Sequence, residues 1–219
     1  MKLQERLVAR TWMEFCGTCL LAYTVAFTAS AGLSTVSQAL SVGLCVSMII
    51  HIIGRYSGAH LNPAVTLILR VNSVGLRGAF SKDSFLEVGS YIFAQIIGSM
   101  AGFAAYLSGA SSNVPANKLD GSAEEMMLTV ILLLLILAWA KEGRLCPFAQ
   151  PLTGIVIGGG VAFLSVLGGA TASGILNPAI ALGLLMYTDI HGLSSMLVSE
   201  CISVGLVCCF ILICRRWPK

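Results

Sequence analysis

The chain reads as long apolar blocks separated by short polar or turn-like segments. Residues 15–54 and 145–188 contain no Asp, Glu, Lys or Arg, and these stretches of 40 and 44 residues exceed the roughly 20 that cross a bilayer once. The pattern predicts six full spans, at about 11–31, 36–54, 85–107, 122–140, 150–168 and 194–214. The fourth is almost entirely aliphatic from Met126 to Leu137. Turn-like or polar segments separate them at Ala31–Gln38, Gly75–Ser84, Ser108–Gly121, Lys141–Gln150 and Thr188–Gly192.

Two further apolar stretches, 56–72 and 170–187, follow spans directly and are too short to cross and return. Each carries the same tripeptide: Asn62-Pro63-Ala64 and Asn177-Pro178-Ala179. Their flanks match as well, Gly58-Ala59-His60-Leu61 against Ser173-Gly174-Ile175-Leu176. A second duplicated pair, Glu14-x-x-x-Thr18 and Glu125-x-x-x-Thr129, opens spans one and four. Each half, approximately 1–118 and 119–219, therefore holds three spans and one extra segment. Three is odd, so the halves insert with opposite orientation and form an inverted repeat. The expectation is a single domain over 1–219: an all-α membrane protein with six transmembrane helices and two re-entrant half-helices that enter from opposite faces.

Composition agrees. Hydrophobic residues make up 57% of the chain and charged residues 11%, which excludes a water-soluble globule and a disordered chain. Of the 13 basic residues, 12 fall on one predicted face, with only Lys118 opposite. The positive-inside rule makes that face, and with it both termini, cytoplasmic. Which membrane holds the chain, plasma membrane or organelle, is left open. The basic residues form no helical stripe, so no nucleic acid is expected as a partner. The basic start, Lys2 to Arg10, runs into a full-length apolar stretch and is expected to be a retained first helix. All eight cysteines except Cys146 lie in apolar segments, and the expectation for them is small buried hydrophobes. Cys16 and Cys19 have CxxC spacing, but no second pair or nearby His completes a metal site. No nucleophile–base or metal constellation is visible, so neither an enzyme nor a cofactor is expected.

The repeated Asn-Pro has a physical meaning. Proline suits the first helical turn, where its missing N–H would have no partner, and asparagine is among the best N-caps. Pro63–Val71 and Pro178–Met186 are thus predicted as half-helices, each about 13 Å long. Irregular backbone at membrane depth survives only when buried in protein or facing water. Two such tips meeting at the midplane imply a water-lined path for water and small neutral solutes. Each tip carries a partial positive charge of roughly +0.5, and each Asn amide can donate to a passing water oxygen.

At these residues the chain resembles the aquaporin or major intrinsic protein family, over essentially its whole length. Ser57-Gly58-Ala59-His60-Leu61-Asn62-Pro63-Ala64-Val65-Thr66 is a specific signature of that family, and Tyr91-x-x-Ala94-Gln95-x-x-Gly98 is similar to it. The resemblance implies an aquaporin-like right-handed bundle with a pore through each protomer, and a homotetramer. It also implies a polar ladder of backbone carbonyls from Gly58, Ala59 and His60 and from Ser173, Gly174 and Ile175. Its outer selectivity filter falls on Val42, Ser165, Gly174 and Ile180. Water-selective members resemble Phe, His, a small residue and Arg at these positions; glycerol-conducting members resemble Trp, Gly, Phe and Arg, usually followed by Asp. This chain has Val, Ser, Gly and Ile, followed by Ala181, and meets neither pattern.

Glu14 and Glu125 lie within spans, where ionisable residues are functional candidates. The duplicated spacing and the family favour loop bracing over proton relay, and the same is expected of His60. His51 is expected to be a satisfied helix histidine, and Glu200 to sit solvated at an outer edge. The leading reading is a passive water channel whose midplane excludes ions and protons. The alternatives are a facilitator of glycerol, urea or ammonia, a coupled transporter, and a structural membrane protein. The coupled transporter would want midplane carboxylates, where this sequence places amides.

Overall fold

The computed structural model describes residues 3–109, 123–140, 149–171, 174–185 and 192–216. Lys2, Lys118, loop 141–148 with Lys141, Arg144 and Cys146, Ser173, Met186, the 188–191 turn and Lys219 lie outside the described residues. Eight helices and no strands are present among them: α1 (Leu3–Ser30), α2 (Thr35–Ser57), α3 (Pro63–Ala79), α4 (Lys82–Gly109), α5 (Ala123–Ala140), α6 (Ala149–Thr171), α7 (Pro178–Leu184) and α8 (Leu193–Arg216). Five of them, α1, α2, α4, α6 and α8, contain stretches long and apolar enough to cross a bilayer. The 18-residue α5 packs between α6 and α8. The short helices α3 and α7 start where the two Asn-Pro pairs stand.

The helices outrun several predicted spans because hydropathy marks apolar length, not helical length. Helix α1 begins near residue 3 rather than 11, since Glu5, Arg6 and Arg10 extend it beyond the apolar block. Helix α3 continues past Val71 to a kink at Gly75, whose φ of 76° and ψ of 168° break the helical path. Glycine adopts that left-handed φ at little cost, and the Arg215 side chain occupies the space where a Cβ would point.

The contacts pair across the two halves. Helix α1 packs on α4 as α5 packs on α8, and α3 on α8 as α7 on α4. Helices α2 and α6 pack against each other along the centre. Small residues allow the closest approaches: a Cβ on Gly98 or Gly102 would strike the α1 backbone at Phe15 or Cys19, and one on Gly158 would strike the carbonyl of Gly43. Without a hydrophobic driving force between helices in lipid, this backbone-to-backbone packing is what holds such helices together.

Charged groups gather at one end of the bundle. Glu87 of α4 pairs with Arg10 of α1 and Arg70 of α3, each at 2.9 Å. Arg215 of α8 donates to the carbonyl of Asn72 on α3. The outer faces are apolar, with Leu44, Phe85, Phe93 and Phe163 among the exposed side chains. The cysteines correct the sequence reading. Among the described cysteines only Cys45 is buried; Cys19 and Cys208 are half-buried, and Cys16, Cys201, Cys209 and Cys214 are exposed. An apolar block in a membrane helix covers its whole circumference, so hydropathy does not tell a lipid-facing cysteine from an inner one.

Two glycines of opposite setting test the packing account. Gly102→Ala is expected to destabilise by about 1–3 kcal/mol through overpacking against Cys19. Gly159→Ala, where an added Cβ meets nothing within 4 Å, is expected to be neutral or to stabilise by about 0.5–1 kcal/mol through helix propensity. Thermal melting of the purified protein in detergent reads both signs.

Candidate functional site

The chain before each short helix is irregular in the same way. Gly58, Ala59 and Leu61 have φ of 94°, 48° and 54°; Gly174 and Leu176 have 63° and 53°. Left-handed backbone at Ala or Leu costs on the order of 1–3 kcal/mol and persists only where surrounding contacts impose it.

Two buried carboxylates make those contacts. Glu14 of α1, fully buried, accepts the backbone N–H of His60 at 3.1 Å and of Leu61 at 2.8 Å. Gln95 of α4 donates its amide to Glu14 at 2.9 Å and to Thr66 Oγ1 at 3.0 Å. Glu125 of α5, also fully buried, accepts the N–H of Gly174 at 2.8 Å, Ile175 at 3.1 Å and Leu176 at 2.9 Å. An extended loop satisfies few of its own N–H groups, so buried acceptors must come from elsewhere.

His60 stands beside the first loop. Its Nδ1 lies 3.3 Å from Thr66 Oγ1 and its ring 5.2 Å from that of Tyr91. The Tyr91 hydroxyl donates to the carbonyl of Ser57 at 2.8 Å. His51, further up α2, donates from Nδ1 to the Ser47 carbonyl at 2.7 Å.

Asn62 and Asn177 cap the two short helices and tie their tips together. Each side-chain Oδ1 accepts the N–H two residues on, Ala64 at 2.8 Å and Ala179 at 3.0 Å. Each Nδ2 then crosses to the other loop: Asn62 donates to the carbonyl of Leu176 at 2.8 Å, and Asn177 to that of Leu61 at 2.9 Å. Pro63 and Pro178 occupy the first helical turns, where no donor is needed. Ala64 and Ala179 are buried behind them.

One cavity of about 450 Å³ runs past both asparagines. Val42, Ser165, Gly174 and Ile180 line it, as do Gly58, Ala59, His60 and Ile175. Thr35 and Gln38 lie at one end, and Leu69 and Thr153 line it on the other side of the asparagines. Ser165 donates its hydroxyl to the Gly174 carbonyl at 3.0 Å. Ile180 is only 3% exposed and brings an apolar side chain to this wall.

Three features escaped the sequence reading. The reciprocal Asn-to-carbonyl bonds join residues more than a hundred positions apart and leave no local pattern. The Ser165–Gly174 bond spans only nine residues, but it too belongs to no local sequence motif. Glu200 is the third, and here the expectation of a solvated edge position fails. Glu200 is 2% exposed, inside the α5–α8 contact, and Thr129 Oγ1 donates to its Oε1 at 3.0 Å. The duplicated Glu-x-x-x-Thr was the available signal, since it places Thr129 one turn after Glu125 on the face toward α8.

The chain is similar to known proteins over most of its length. The family model described as Major intrinsic protein matches residues 5–199. Aquaporin NIP2-1 of Zea mays is 29% identical over 168 residues, 73% of this chain and 52% of that protein. Aquaporin NIP3-1 of Oryza sativa subsp. japonica is 31% identical over 189 residues, 78% of this chain and 56% of that protein. The alignments thus span little more than half the length of these relatives. The X-ray structure of the aquaglyceroporin from Plasmodium falciparum superposes with a TM-score of 0.74 at 25% identity, covering 93% of this chain and 95% of that one.

The carboxylate anchors are directly testable. Glu125→Ala strands three N–H groups, two buried and one half-buried, at about 1–3 kcal/mol each for the buried ones. A loss of more than about 3 kcal/mol is therefore expected in detergent melting, with Glu125→Gln milder because one acceptor oxygen remains.

Proposed function

From the premise that the chain belongs to the major intrinsic protein family of membrane channels, we propose that it conducts water passively and excludes ions and protons at its midplane. The observation that carries this is the single cavity lined by both Asn62 and Asn177. A primary amide has two N–H donors. The bonds to Leu176 and Leu61 take one from each asparagine, which leaves one from each for a water oxygen. A water accepting both turns its hydrogens outward and accepts nothing from its neighbours in file. Proton relay through it then stops. The N-terminal N–H groups of α3 and α7 face the same point and disfavour a cation there. Neutral water passes where a hydrated ion must shed its shell without replacement.

In this reading Asn62-Pro63-Ala64 and Asn177-Pro178-Ala179 form the midplane barrier. Val42, Ser165, Gly174 and Ile180 form the outer filter, and Glu14, Glu125 and His60 brace the loops. Both termini lie in the cytoplasm, supported by the cluster of Arg10, Arg70 and Arg215 at one end of the bundle. The assembly is a homotetramer, each protomer with its own pore. The outward apolar side chains then face lipid or a neighbouring protomer.

A second reading, facilitation of small neutral solutes such as glycerol, urea or ammonia, is favoured by Ile180. Where the family resemblance places a filter arginine, this wall is apolar. An apolar side chain offers no competing donor to a solute hydroxyl and adds no cation barrier, so the midplane carries ion exclusion nearly alone. The similarity to a protein named an aquaglyceroporin supports the same reading.

Stopped-flow swelling of proteoliposomes tests the main reading: fast water flow of low activation energy, independent of a proton gradient, is expected, and flow equal to protein-free vesicles refutes it. In oocytes, Asn177→Asp is expected to raise cation or proton current above background, because a carboxylate replaces a donor at the narrowest charge barrier. Ile180→Arg is expected to narrow the solute range while water still passes; solute-by-solute swelling rates decide.

A further inference from the structure

Helix α7 carries Asn177 at its start and Ile180 in its first turn, and both line the cavity. The helix has only 7 residues, well short of the roughly 12–15 below which an isolated helix is marginal in water. Its position is therefore set by what it packs against. At its start Glu125 holds the N–H groups of residues 174–176, and Asn177 is bonded to the carbonyl of Leu61. Along its side it packs on α4, α8 and α3.

The contact with α4 leaves room for a glycine and nothing larger. A Cβ on Gly183 would overlap the Ser99 hydroxyl oxygen and stand 3.0 Å from both the Ser99 Cβ and the Phe103 Cδ2. Turning the Ser99 hydroxyl away relieves only the first overlap, because the Ser99 Cβ is fixed to the α4 backbone. Gly183, Ser99 and Phe103 are all buried. The Ser99 oxygen has no hydrogen-bond partner among the described residues. The direction a Cβ would take from Gly183 is also the direction of one of its Cα hydrogens, so that hydrogen points at the Ser99 oxygen. Cα–H···O contacts of this kind recur where helices cross closely, and a residue with a Cβ has no hydrogen in that direction. The first half is built differently. Six residues past Asn62, at the step that Gly183 occupies past Asn177, α3 carries Ile68, a fully buried side chain. One half-helix meets its surroundings there through an isoleucine, the other through a glycine set directly against a serine.

We propose that Gly183 and Ser99 form the seat of α7: they are positioning residues that fix where Asn177 and Ile180 stand in the cavity wall. Neither lines the cavity, and nor does Phe103. A methyl group at position 183 changes nothing that a solute touches and acts by moving α7 off α4. Asn177 then no longer aims its free N–H at the water that Asn62 also holds. That consequence rests on the conduction proposed above; the seat itself does not.

Proton leak and water flow of lipid vesicles holding the full chain test the seat, read by a pH-sensitive dye and by light scattering. Gly183→Ala is expected to raise the proton leak roughly tenfold, the effect of one hydrogen bond misaligned at a barrier. Adding Ser99→Gly in the same chain removes the obstructing side chain and is expected to bring the leak back toward that of the parent. Packing without a positioning role lowers the melting temperature and leaves the leak at the parent value; that result overturns the proposal, as does a leak that the second substitution does not reduce. If Gly183→Ala yields no folded channel, the double variant decides: recovery of a folded channel supports the seat, and no recovery overturns it. Parent vesicles that pass water no faster than protein-free ones refute the proposed conduction instead. The seat is then read from melting, where a loss in Gly183→Ala that Ser99→Gly reverses supports it and losses that simply add overturn it.

Discussion

Two buried carboxylates, each gripping the backbone of a strained loop, are the constraint on which the rest of the structure depends. The loops must reach the membrane interior as irregular chain, with Leu61 and Leu176 in left-handed conformations. Such backbone has neither helical partners nor bulk water for its N–H groups. Glu14 and Glu125 supply the acceptors, two donors on one side and three on the other. Several charge-assisted bonds of this kind outweigh the left-handed strain. With the loops fixed, Asn62 and Asn177 fall where each can both cap its helix and bond the opposite loop. The two tips thus hold each other, and neither helix is long enough to be stable alone.

The frame around them is built from close approach rather than from bulk. Gly98 and Gly102 bring α4 onto the α1 backbone, and Gly43 with Gly158 brings α2 onto α6. These contacts set where Glu14 stands relative to Gln95, because both side chains leave the α1–α4 pair. The cavity is then what remains between rigid helices. Its walls combine apolar side chains with loop backbone, the two amides and polar side chains such as Gln38, His60, Thr153 and Ser165. A site of that kind offers a solute a few fixed hydrogen bonds and no mobile charge.

Much of this was legible in the sequence because its causes are local. Charge-free length marks membrane helices, and an Asn-Pro pair marks a helix start whether or not the partner is known. Repetition of the pair at matched places exposed the duplicated design, and Glu14 and Glu125 stood out because charge in a span is rare. What stayed hidden depends on direction around a helix or on distant pairing. Hydropathy could not tell that Cys16 and Cys209 face outward while Cys45 faces inward. It placed Glu200 at an edge because α8 begins only a few residues earlier, yet the neighbouring α5 covers it. The kink of α3 at Gly75, beyond the expected end at Val71, follows from the glycine and its closeness to Arg215, and Arg215 comes from the other half of the chain.

The duplication also sharpens where specificity must reside. Features that serve the scaffold recur in both halves: the cap asparagine, the proline, the loop leucine and the anchoring glutamate. Features that differ are freed from that duty. His60 is matched by Ile175 and Val65 by Ile180, and the buried polar group on the last span of each half differs, Gln95 bonding Glu14 and Glu200 bonding Thr129. The first pair lines one cavity with an imidazole from one half and an aliphatic chain from the other, while Val65 and Ile180 are both aliphatic, so a solute meets a different polarity at residues 60 and 175. The third lies away from that wall, behind an anchor. A substitution there changes no residue of the lining. Chemistry at the wall sets what passes, and chemistry behind the anchor sets how firmly the wall is held.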